Sequence, residues 1–229
     1  MKSGKKQLPE KLYGLVPSQQ TMYMMVKYSF HKQLVQIPIS FSVEKDIDFN
    51  VLKRAFNIEI KRNDCLRLRF VKVGKEIRQY FLENFALDDI EVRHFKNIEE
   101  QEEFFSKDAQ KPVYFLKDEI FRVIFFKTEG VGSGIYFVAS HVIIDAMGIV
   151  ITLADLFKVY RALIEGSEMP APLDKYEDYI LEEFARLSDK KKMAKHHEFY
   201  ARYFLKGGEP FHANVHGPEH PHQAQNPRE

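Results

Sequence analysis

The sequence predicts an α/β fold, specifically an α+β sandwich in which a mixed, mostly antiparallel sheet is flanked by helices. Short apolar runs, either alternating or continuous, are typical of strands and occur mainly before residue 141. Longer amphipathic and apolar segments, typical of helices, lie between and after these runs. Together they predict about five or six strands and about six helices around one main core.

The composition is that of an ordinary globular protein. Hydrophobic residues make up 45% of the 229 residues and charged residues 29%, which is enough apolar material for a real core. The formal charge of +1 predicts no nucleic-acid or membrane partner. No apolar run reaches the roughly 18 residues that a membrane helix needs, and no secretory signal follows the N-terminal lysines. Cys65 is the single cysteine, which fits a reducing compartment, so we expect a cytoplasmic protein.

Local signals place the elements of the first half of the chain. Pro17 opens a helix, because proline is favoured in a first helical turn. Pro38 interrupts an alternating run and therefore predicts a strand at the edge of a sheet. Asp48 is a good N-cap, and Gly74 suits the turn of a β-hairpin. The predicted elements are helices at 17–26 and 49–62 and strands at 35–43, 65–71, 77–82 and 90–95.

The second half predicts the centre of the sheet and most of the helices. Asn97 caps an acidic helix that ends near residue 109. Strands at 120–126 and 134–140 are continuously apolar, which indicates burial on both faces. The helix at 146–165 is followed by Gly166, a residue favoured just after a helix end. Two further helices are predicted at 175–187 and 189–205.

An H-x-x-x-D pattern is the main candidate for chemistry. His141 follows a buried strand, and Asp145 stands just before a long helix. A histidine at a strand end is held rigidly and can take a proton from an attacking hydroxyl or amine. On a helix the pair could hold a metal, but residues 142–144 are β-branched and favour strand or a tight bend, and no third ligand is recognisable. The alternative is a core histidine that hydrogen-bonds the backbone.

Two further features need a partner or a scaffold. Asp145, which we expect to be hidden against apolar neighbours, would then need a cationic partner, and we expect an arginine that holds the loop in shape. The C-terminal histidines between His212 and His222 have a spacing that could bind zinc or nickel. They lie in a Gly- and Pro-rich stretch without periodicity, so we expect only adventitious metal binding there and predict no metal site.

Four short motifs carry a resemblance to a known family. They are Leu-Val-Pro-Ser-Gln at 15–19, Lys-Arg-Asn-Asp-Cys-Leu-Arg at 61–67, Glu-Ile-Phe-Arg at 119–122 and Ser-His-Val-Ile-Ile-Asp-Ala at 140–146. Their order and spacing resemble the N-terminal half of the condensation domains of nonribosomal peptide synthetases, in the chloramphenicol acetyltransferase-like superfamily. The resemblance implies a single condensation-like lobe at 12–206, between a flexible lead at 1–11 and a loosely ordered His- and Pro-rich tail at 207–229.

The resemblance also implies roles at the H-x-x-x-D motif. His141 matches the catalytic histidine of the family, and Asp145 matches an aspartate that forms a structural salt bridge with an arginine. Arg67 and Arg122 are both candidates for that arginine, and the sequence does not choose between them.

Three residues are implied to lie beside the substrate channel, namely Ser140, Ala146 and Gly148. Two of them depart from the family pattern. Ser140 replaces a histidine next to the presumed base, and Ala146 adds a methyl group where the family keeps a glycine. Asn63 also replaces a histidine of the second motif.

The implied reaction is attack by an amine or hydroxyl on an acyl thioester, which gives an amide or an ester. The resemblance implies a phosphopantetheine-carrier or CoA thioester as donor and no bound cofactor. Its implied partners are a carrier protein or acyl-CoA and a second lobe, because complete condensation domains have two similar lobes. We therefore expect an acyltransferase lobe that is incomplete without a second lobe, in cis or in trans. The alternative is a non-catalytic remnant that binds a carrier protein or a partner chain.

Overall fold

A computed structural model describes residues 9–117 and 119–205 and confirms the predicted fold class. These residues form six α-helices and six strands. The helices are α1 (Pro17–Tyr28), α2 (Phe49–Arg62), α3 (Ile98–Ala109), α4 (Ala146–Glu165), α5 (Tyr176–Ser188) and α6 (Lys190–Leu205). The strands are β1 (Gln36–Val43), β2 (Leu68–Val73), β3 (Glu76–Phe81), β4 (Glu91–Phe95), β5 (Phe121–Thr128) and β6 (Gly132–Ser140).

The larger of two sheets has the strand order β1-β6-β5-β4. The β1–β6 and β5–β6 pairs are antiparallel, whereas β4 and β5 are parallel. The strands β5 and β6 are central, as their continuous apolar sequences predict. Pro38 pairs with Val138 on the edge strand β1, which confirms the edge position. The strands β2 and β3 form the predicted hairpin as a separate sheet, with Gly74 at a φ of 62° in its turn.

Helices cover both faces of the larger sheet. Alternate residues of β6 point to opposite faces, so neighbouring residues of this strand show what packs on each face. Phe137 belongs to the main core and packs against Phe56 of α2, with ring centroids 6.2 Å apart. Tyr136 belongs to a smaller cluster on the other face, where it stacks on Phe105 of α3 at 4.2 Å. The main core therefore lies between the sheet and the helices α2 and α4.

The helix ends follow the predicted capping signals. The Asp48 carboxylate accepts hydrogen bonds from the N–H groups of Asn50 and Val51 and so caps α2. Asn97 caps α3 in the same way, and Gly166 ends α4 in a left-handed conformation with a φ of 65°. Such local signals act within a few residues, which explains why they can be read from the sequence.

A boundary between two compact units falls between Phe184 and Ala185, within α5. The predicted domain limits stay a prediction. Within the described ranges, no helix is long and apolar enough to cross a membrane. Residues 1–8 of the predicted lead and the predicted tail at 207–229, with its histidine pattern, lie outside the described residues.

Candidate functional site

The strand β6 leads through a tight turn into α4, and His141 stands at the start of that turn. The His141 N–H donates to the carbonyl of Val35 at 3.0 Å, just beyond the last residue pair of the β1–β6 ladder. The Ile143 N–H donates to the carbonyl of Ser140 at 3.1 Å and closes the turn. The β-branched run at 142–144 thus forms a bend, one of the two conformations that the sequence predicts for it, and not a helix.

Three apolar side chains anchor this turn in the core. Val142, Ile143 and Ile144 are 2%, 2% and 7% exposed. Burial of such a side chain stabilises the folded state by about 1.5–3 kcal/mol, so these three side chains together fix the turn on the core. His141 is only half-buried at the same turn, which leaves its side chain at the surface of a rigid loop.

His141 lines an open cleft of about 700 Å³. Its imidazole forms no hydrogen bond with any residue at 9–117 or 119–205. A core histidine that hydrogen-bonds the backbone would be buried and partnered, so the geometry does not favour that alternative. A half-buried imidazole with free ring nitrogens can take a proton from a group that enters the cleft. Its catalytic role stays a prediction.

Asp145 differs from the expectation of a buried, salt-bridged carboxylate. Its side chain is exposed, and Oδ1 accepts the N–H of Gly148 at 2.7 Å, so Asp145 is the N-cap of α4. Among the described residues it forms no ion pair. An aspartate directly before a helix satisfies an otherwise unpaired N–H group and interacts favourably with the helix dipole, so it needs no arginine.

The two candidate arginines have other partners. Arg122 forms a salt bridge with the buried Asp108 at the end of α3, with Nε 2.7 Å from Oδ2. Arg67 donates to the backbone carbonyl of Ile60 at 3.1 Å and to that of Leu82 at 2.6 Å. The predicted salt bridge from either arginine to Asp145 is therefore corrected. Both guanidinium groups satisfy acceptors near their own elements, and the exposed carboxylate carries no desolvation penalty that would require one.

The three expected channel neighbours lie at different depths. Ser140 is 1% exposed, so its hydroxyl is covered by the core. Ala146 is exposed in the first turn of α4. Gly148 lines the cleft, and a Cβ atom added there would lie 2.8 Å from Cγ1 of Ile144. Of the three, only Gly148 contributes to the cleft wall, and its missing side chain allows close packing against the His141 turn.

A polar chain connects this wall to α2. The Asn63 Nδ2 donates to the Thr152 hydroxyl at 2.9 Å, and that hydroxyl donates to the carbonyl of Gly148 at 2.8 Å. Thr152 is 1% exposed, whereas Asn63 lines the cleft with His141. Asn63, which replaces a family histidine, thus braces the first turns of α4.

The lining of the cleft also includes Tyr176 and Tyr179 at the start of α5. The buried Asp64 caps this helix from a distant part of the chain. Its Oδ1 accepts the N–H of Tyr176 at 2.8 Å, and its Oδ2 accepts the N–H of Glu177 at 3.2 Å. Burial is the largest cause that raises the pKa of the Tyr176 phenol, which stays protonated at neutral pH. The sequence reasoning missed these residues, although an aspartate just after a helix end was a usable signal.

The motif at 15–19 supports the rim of the cleft. Gln19 is 2% exposed and exchanges two amide hydrogen bonds of 2.8 Å with Gln79 on β3. Its Oε1 also accepts the N–H of Val16 at 3.0 Å, which completes the start of α1. Gln19 therefore has a structural role in this motif, because its amide pair with Gln79 joins α1 to the hairpin beside the cleft.

The described residues contain no group of three or more histidine, cysteine, aspartate or glutamate side chains that could hold a metal ion. Cys65 lines the cleft but is only 5% exposed, and burial raises the pKa of its thiol. The thiol is the poorly nucleophilic form of cysteine, so Cys65 is not suited to act as a nucleophile in the cleft.

One face of α4 exposes large apolar side chains next to the cleft. Met147, Val150 and Ile151 are 66%, 54% and 51% exposed, and Ile151 also lines the cleft. Their spacing of three and four residues places them on one stripe of the helix. An apolar stripe that continues an open cleft is typical of a surface that another protein segment covers.

Comparison with known proteins gives consistent matches along nearly the whole chain. The family profile for the condensation domain matches residues 9–214. Bacitracin synthase 3 of Bacillus licheniformis is 25% identical over 207 residues, which are 87% of this chain and 3% of the synthase. The chain therefore spans a small part of this curated relative.

Two solved structures have the same fold. A double variant of the starter condensation domain of the rhizomide synthetase RzmA matches with a TM-score of 0.79 and 17% identity, over 88% of this chain and 50% of that domain. Another variant of that domain, in complex with C8-CoA and Leu-SNAC, matches with a TM-score of 0.74 and 17% identity, over 87% of this chain and 46% of the other. The chain spans about half the length of these structures.

Proposed function

The chain belongs to the condensation-domain family, and from this membership we propose that it is one lobe of an acyltransferase whose base is His141. The half-buried imidazole of His141 lines an open cleft and has no hydrogen-bond partner among the described residues, and this observation carries the proposal. The turn around His141 is anchored by buried side chains, so the imidazole has the fixed position that general-base catalysis requires.

The reaction would be transfer of an acyl group from a thioester to an amine or a hydroxyl. The imidazole of His141 takes the proton of the nucleophile as its nitrogen or oxygen attacks the thioester carbonyl. The tetrahedral intermediate then collapses, the carbon–sulfur bond breaks, and the imidazolium returns the proton to the departing thiolate. The products are an amide or ester and a free thiol, so no oxidant or further co-reactant is needed.

The donor is proposed from the family. One similar domain is described in complex with C8-CoA and Leu-SNAC. For this chain we propose a thioester of CoA or of a carrier-protein phosphopantetheine, with no bound cofactor. The cleft wall is mainly apolar around His141, with Ile143, Ile151 and Tyr179 among its residues, which suits an acyl chain. The cytoplasm is the compartment in which we place this activity.

The activity would need a second condensation-type lobe, in cis or in trans. The cleft is open, and Ile151, which lines it, lies on the exposed apolar stripe with Met147 and Val150. A covering lobe would bury these side chains and complete the channel. The match to about half of a solved condensation domain supports a lobe of similar size as the covering partner.

Acyl transfer with matched histidine variants tests the proposal. Purified chain, alone and together with the polypeptide encoded immediately downstream, would be incubated with acyl-CoA or acyl-carrier thioesters and amine or alcohol acceptors. Thiol release and product mass would be recorded. His141→Ala should abolish transfer, because the base is lost. His94→Ala is the control, since His94 is exposed on β4 and does not line the cleft.

Two outcomes separate the hypotheses. Equal background thiol release by wild type and both variants, under every condition, would overturn the catalytic role. Binding of a carrier protein or partner chain without any transfer would then favour the non-catalytic remnant. The non-catalytic alternative is considered because Ser140 and Ala146 depart from the family pattern at the His141 motif.

A further inference from the structure

A fully buried carboxyl group lies behind the cleft, between α2 and α4. Glu59 on α2 is 0% exposed. Neither of its carboxyl oxygens has a hydrogen-bond partner in the described part of the chain. Burying an unpaired charge costs far more than burying a neutral acid, so such a carboxyl is favoured in its protonated form.

The neighbouring carboxylate, Asp155, is already paired with Arg62. Asp155 on α4 is 5% exposed, and its Oδ2 and Oδ1 lie 2.7 and 3.2 Å from Nε and Nη2 of Arg62. Arg62 also donates to the carbonyls of Pro170 at 3.0 Å and Ala171 at 2.6 Å. One guanidinium therefore holds α2, α4 and the segment that precedes α5 together.

Charge balance decides which carboxyl holds a proton. With both ionised, the site would contain two negative charges and one positive charge. Burial, followed by the nearby Asp155, raises the pKa of Glu59 from 4.5 to about 8. Burial opposes ionisation of Asp155 too, but the hydrogen bonds from Arg62 lower its pKa below the ordinary value. Lys158 acts on Asp155 in the same direction, and the nearby thiol of Cys65 is neutral because burial raises its pKa.

The buried site is connected to the cleft wall. The backbone N–H of Asn63 donates to the carbonyl of Glu59 at 2.8 Å, in the last turn of α2. The Asn63 side chain then continues through Thr152 to Gly148, which lines the cleft. A displacement of α2 from α4 at Glu59 would therefore move the part of the cleft lining that includes Asn63 and Gly148.

We propose that Glu59 is a positioning residue that must hold a proton to keep α2 and α4 packed together behind the cleft, and that its ionisation at alkaline pH loosens the wall formed by Asn63 and Gly148. Ionisation would place an uncompensated negative charge beside Asp155, which only separation of the helices or entry of water can relieve. The effect on catalysis rests on the proposed function, whereas the effect on the helices does not.

The sign of the pH dependence follows from the raised pKa. The ordinary pKa of a glutamate, 4.5, applies to the unfolded chain, and burial raises the pKa of Glu59 to about 8 in the folded chain. Its contribution to stability is therefore fully present below about pH 4.5 and is lost as the pH rises through about 8. Between these values the melting temperature of the wild type should fall by about 3 °C per pH unit relative to a variant that cannot ionise.

Melting temperatures of wild type, Glu59→Gln and Glu102→Gln from pH 5 to 9 test the proposal. Glutamine has the shape of the protonated acid and does not titrate, so Glu59→Gln should match the wild type near pH 5 and exceed it increasingly up to pH 8. Glu102 is exposed on α3, so its variant should follow the wild type. Hydrogen exchange of residues 146–157, corrected for the intrinsic rate, should show faster opening above pH 8 in the wild type and not in Glu59→Gln.

Parallel melting curves for the wild type and Glu59→Gln would overturn the proposal, and so would equal hydrogen exchange in α4. If Glu59→Gln does not fold, the wild type alone decides, because its exchange in α4 must rise above pH 8 beyond the intrinsic rate. Asp155→Asn provides a second variant: without the Asp155 charge the pKa of Glu59 should be raised less, because burial alone then raises it, and the loss of stability between pH 5 and 8 should become smaller. None of these readouts depends on acyl transfer, so a failed activity assay does not affect them.

Discussion

Replacement of Asp64 should destabilise the protein more than replacement of a helix cap on the surface. Asp64 caps α5 through hydrogen bonds of 2.8 and 3.2 Å to two backbone N–H groups, and it is 6% exposed. Asp48 caps α2 through two bonds of 2.9 and 3.1 Å, but it is exposed. The two aspartates make the same number of bonds, so Asp48 is a matched control for the effect of burial.

The expected magnitudes follow from these geometries. Loss of an exposed N-cap costs about 1 kcal/mol, which we expect for Asp48→Ala. Hydrogen bonds to a charged acceptor contribute about 1.5–3 kcal/mol each at buried sites, and their loss leaves N–H groups without a partner. Asp64→Ala should therefore lower the free energy of unfolding by about 3 kcal/mol or more. Asp64→Asn should cost about 1 kcal/mol, because its amide oxygen can still accept one bond.

Urea denaturation would measure these differences. The chain has no tryptophan, so unfolding is best followed by far-UV circular dichroism, with tyrosine fluorescence as a second probe. An unchanged m-value would show that the variants differ in stability and not in the extent of unfolding. Hydrogen exchange over residues 176–188 should be faster in Asp64→Ala, since the start of α5 loses its cap.

Equal losses for Asp64→Ala and Asp48→Ala would refute the reasoning, because burial would then add nothing to the cap. A large loss in Asp64→Ala without faster exchange in α5 would also contradict it. In that case Asp64 would stabilise the core without positioning the cleft wall at Tyr176.

Two further substitutions test the loop that holds His141. Asp145→Ala should remain folded and lose only about 1 kcal/mol, because the cap is exposed, whereas breaking a buried ion pair would cost about 3–5 kcal/mol. Gly148→Ala should gain up to about 1 kcal/mol from the higher helix propensity of alanine. The added Cβ would lie 2.8 Å from Cγ1 of Ile144, however, and such overpacking costs about 1–3 kcal/mol. We therefore expect a net loss in urea denaturation, reduced when Ile144→Ala makes room.

Specific results would contradict the predictions for Asp145→Ala and Gly148→Ala. An insoluble Asp145→Ala protein, with Asp145→Asn equally affected, would show that the carboxylate has a partner beyond the helix cap. If Gly148→Ala leaves the stability unchanged relative to its own parent in both Ile144 backgrounds, the turn adapts without cost. The double-mutant cycle separates the contact between the new Cβ and Ile144 from the larger cost that Ile144→Ala has by itself.

The elements of this fold could be predicted because their signals are local. The alternation around Pro38, the cap at Asp48 and the glycine after α4 all act within a few residues, and the structure has each where it was expected. The bend after His141 was one of the two conformations predicted for its β-branched residues. Local preference and tertiary structure agree at these positions, as expected for a sequence that folds to one state.

The partners of charged groups could not be predicted in this way. Asp145 was expected to meet Arg67 or Arg122, but which carboxylate faces which arginine depends on elements far apart in the chain. Arg122 forms a salt bridge with Asp108, near the end of the acidic helix that the sequence predicts after Asn97. Arg62 meets Asp155, although 93 positions separate them in sequence. A single sequence does not reveal such pairs.

Pro38 has a consequence for how larger assemblies can form. The pairing of β1 with β6 continues through Pro38 without interruption, so the missing N–H lies on the outer edge of the sheet. A foreign strand that tried to extend the sheet there would lack a donor in the middle of β1. At the β1 edge, association through side chains is therefore favoured over the addition of a strand, which allows a partner there to dock and separate without rebuilding the sheet.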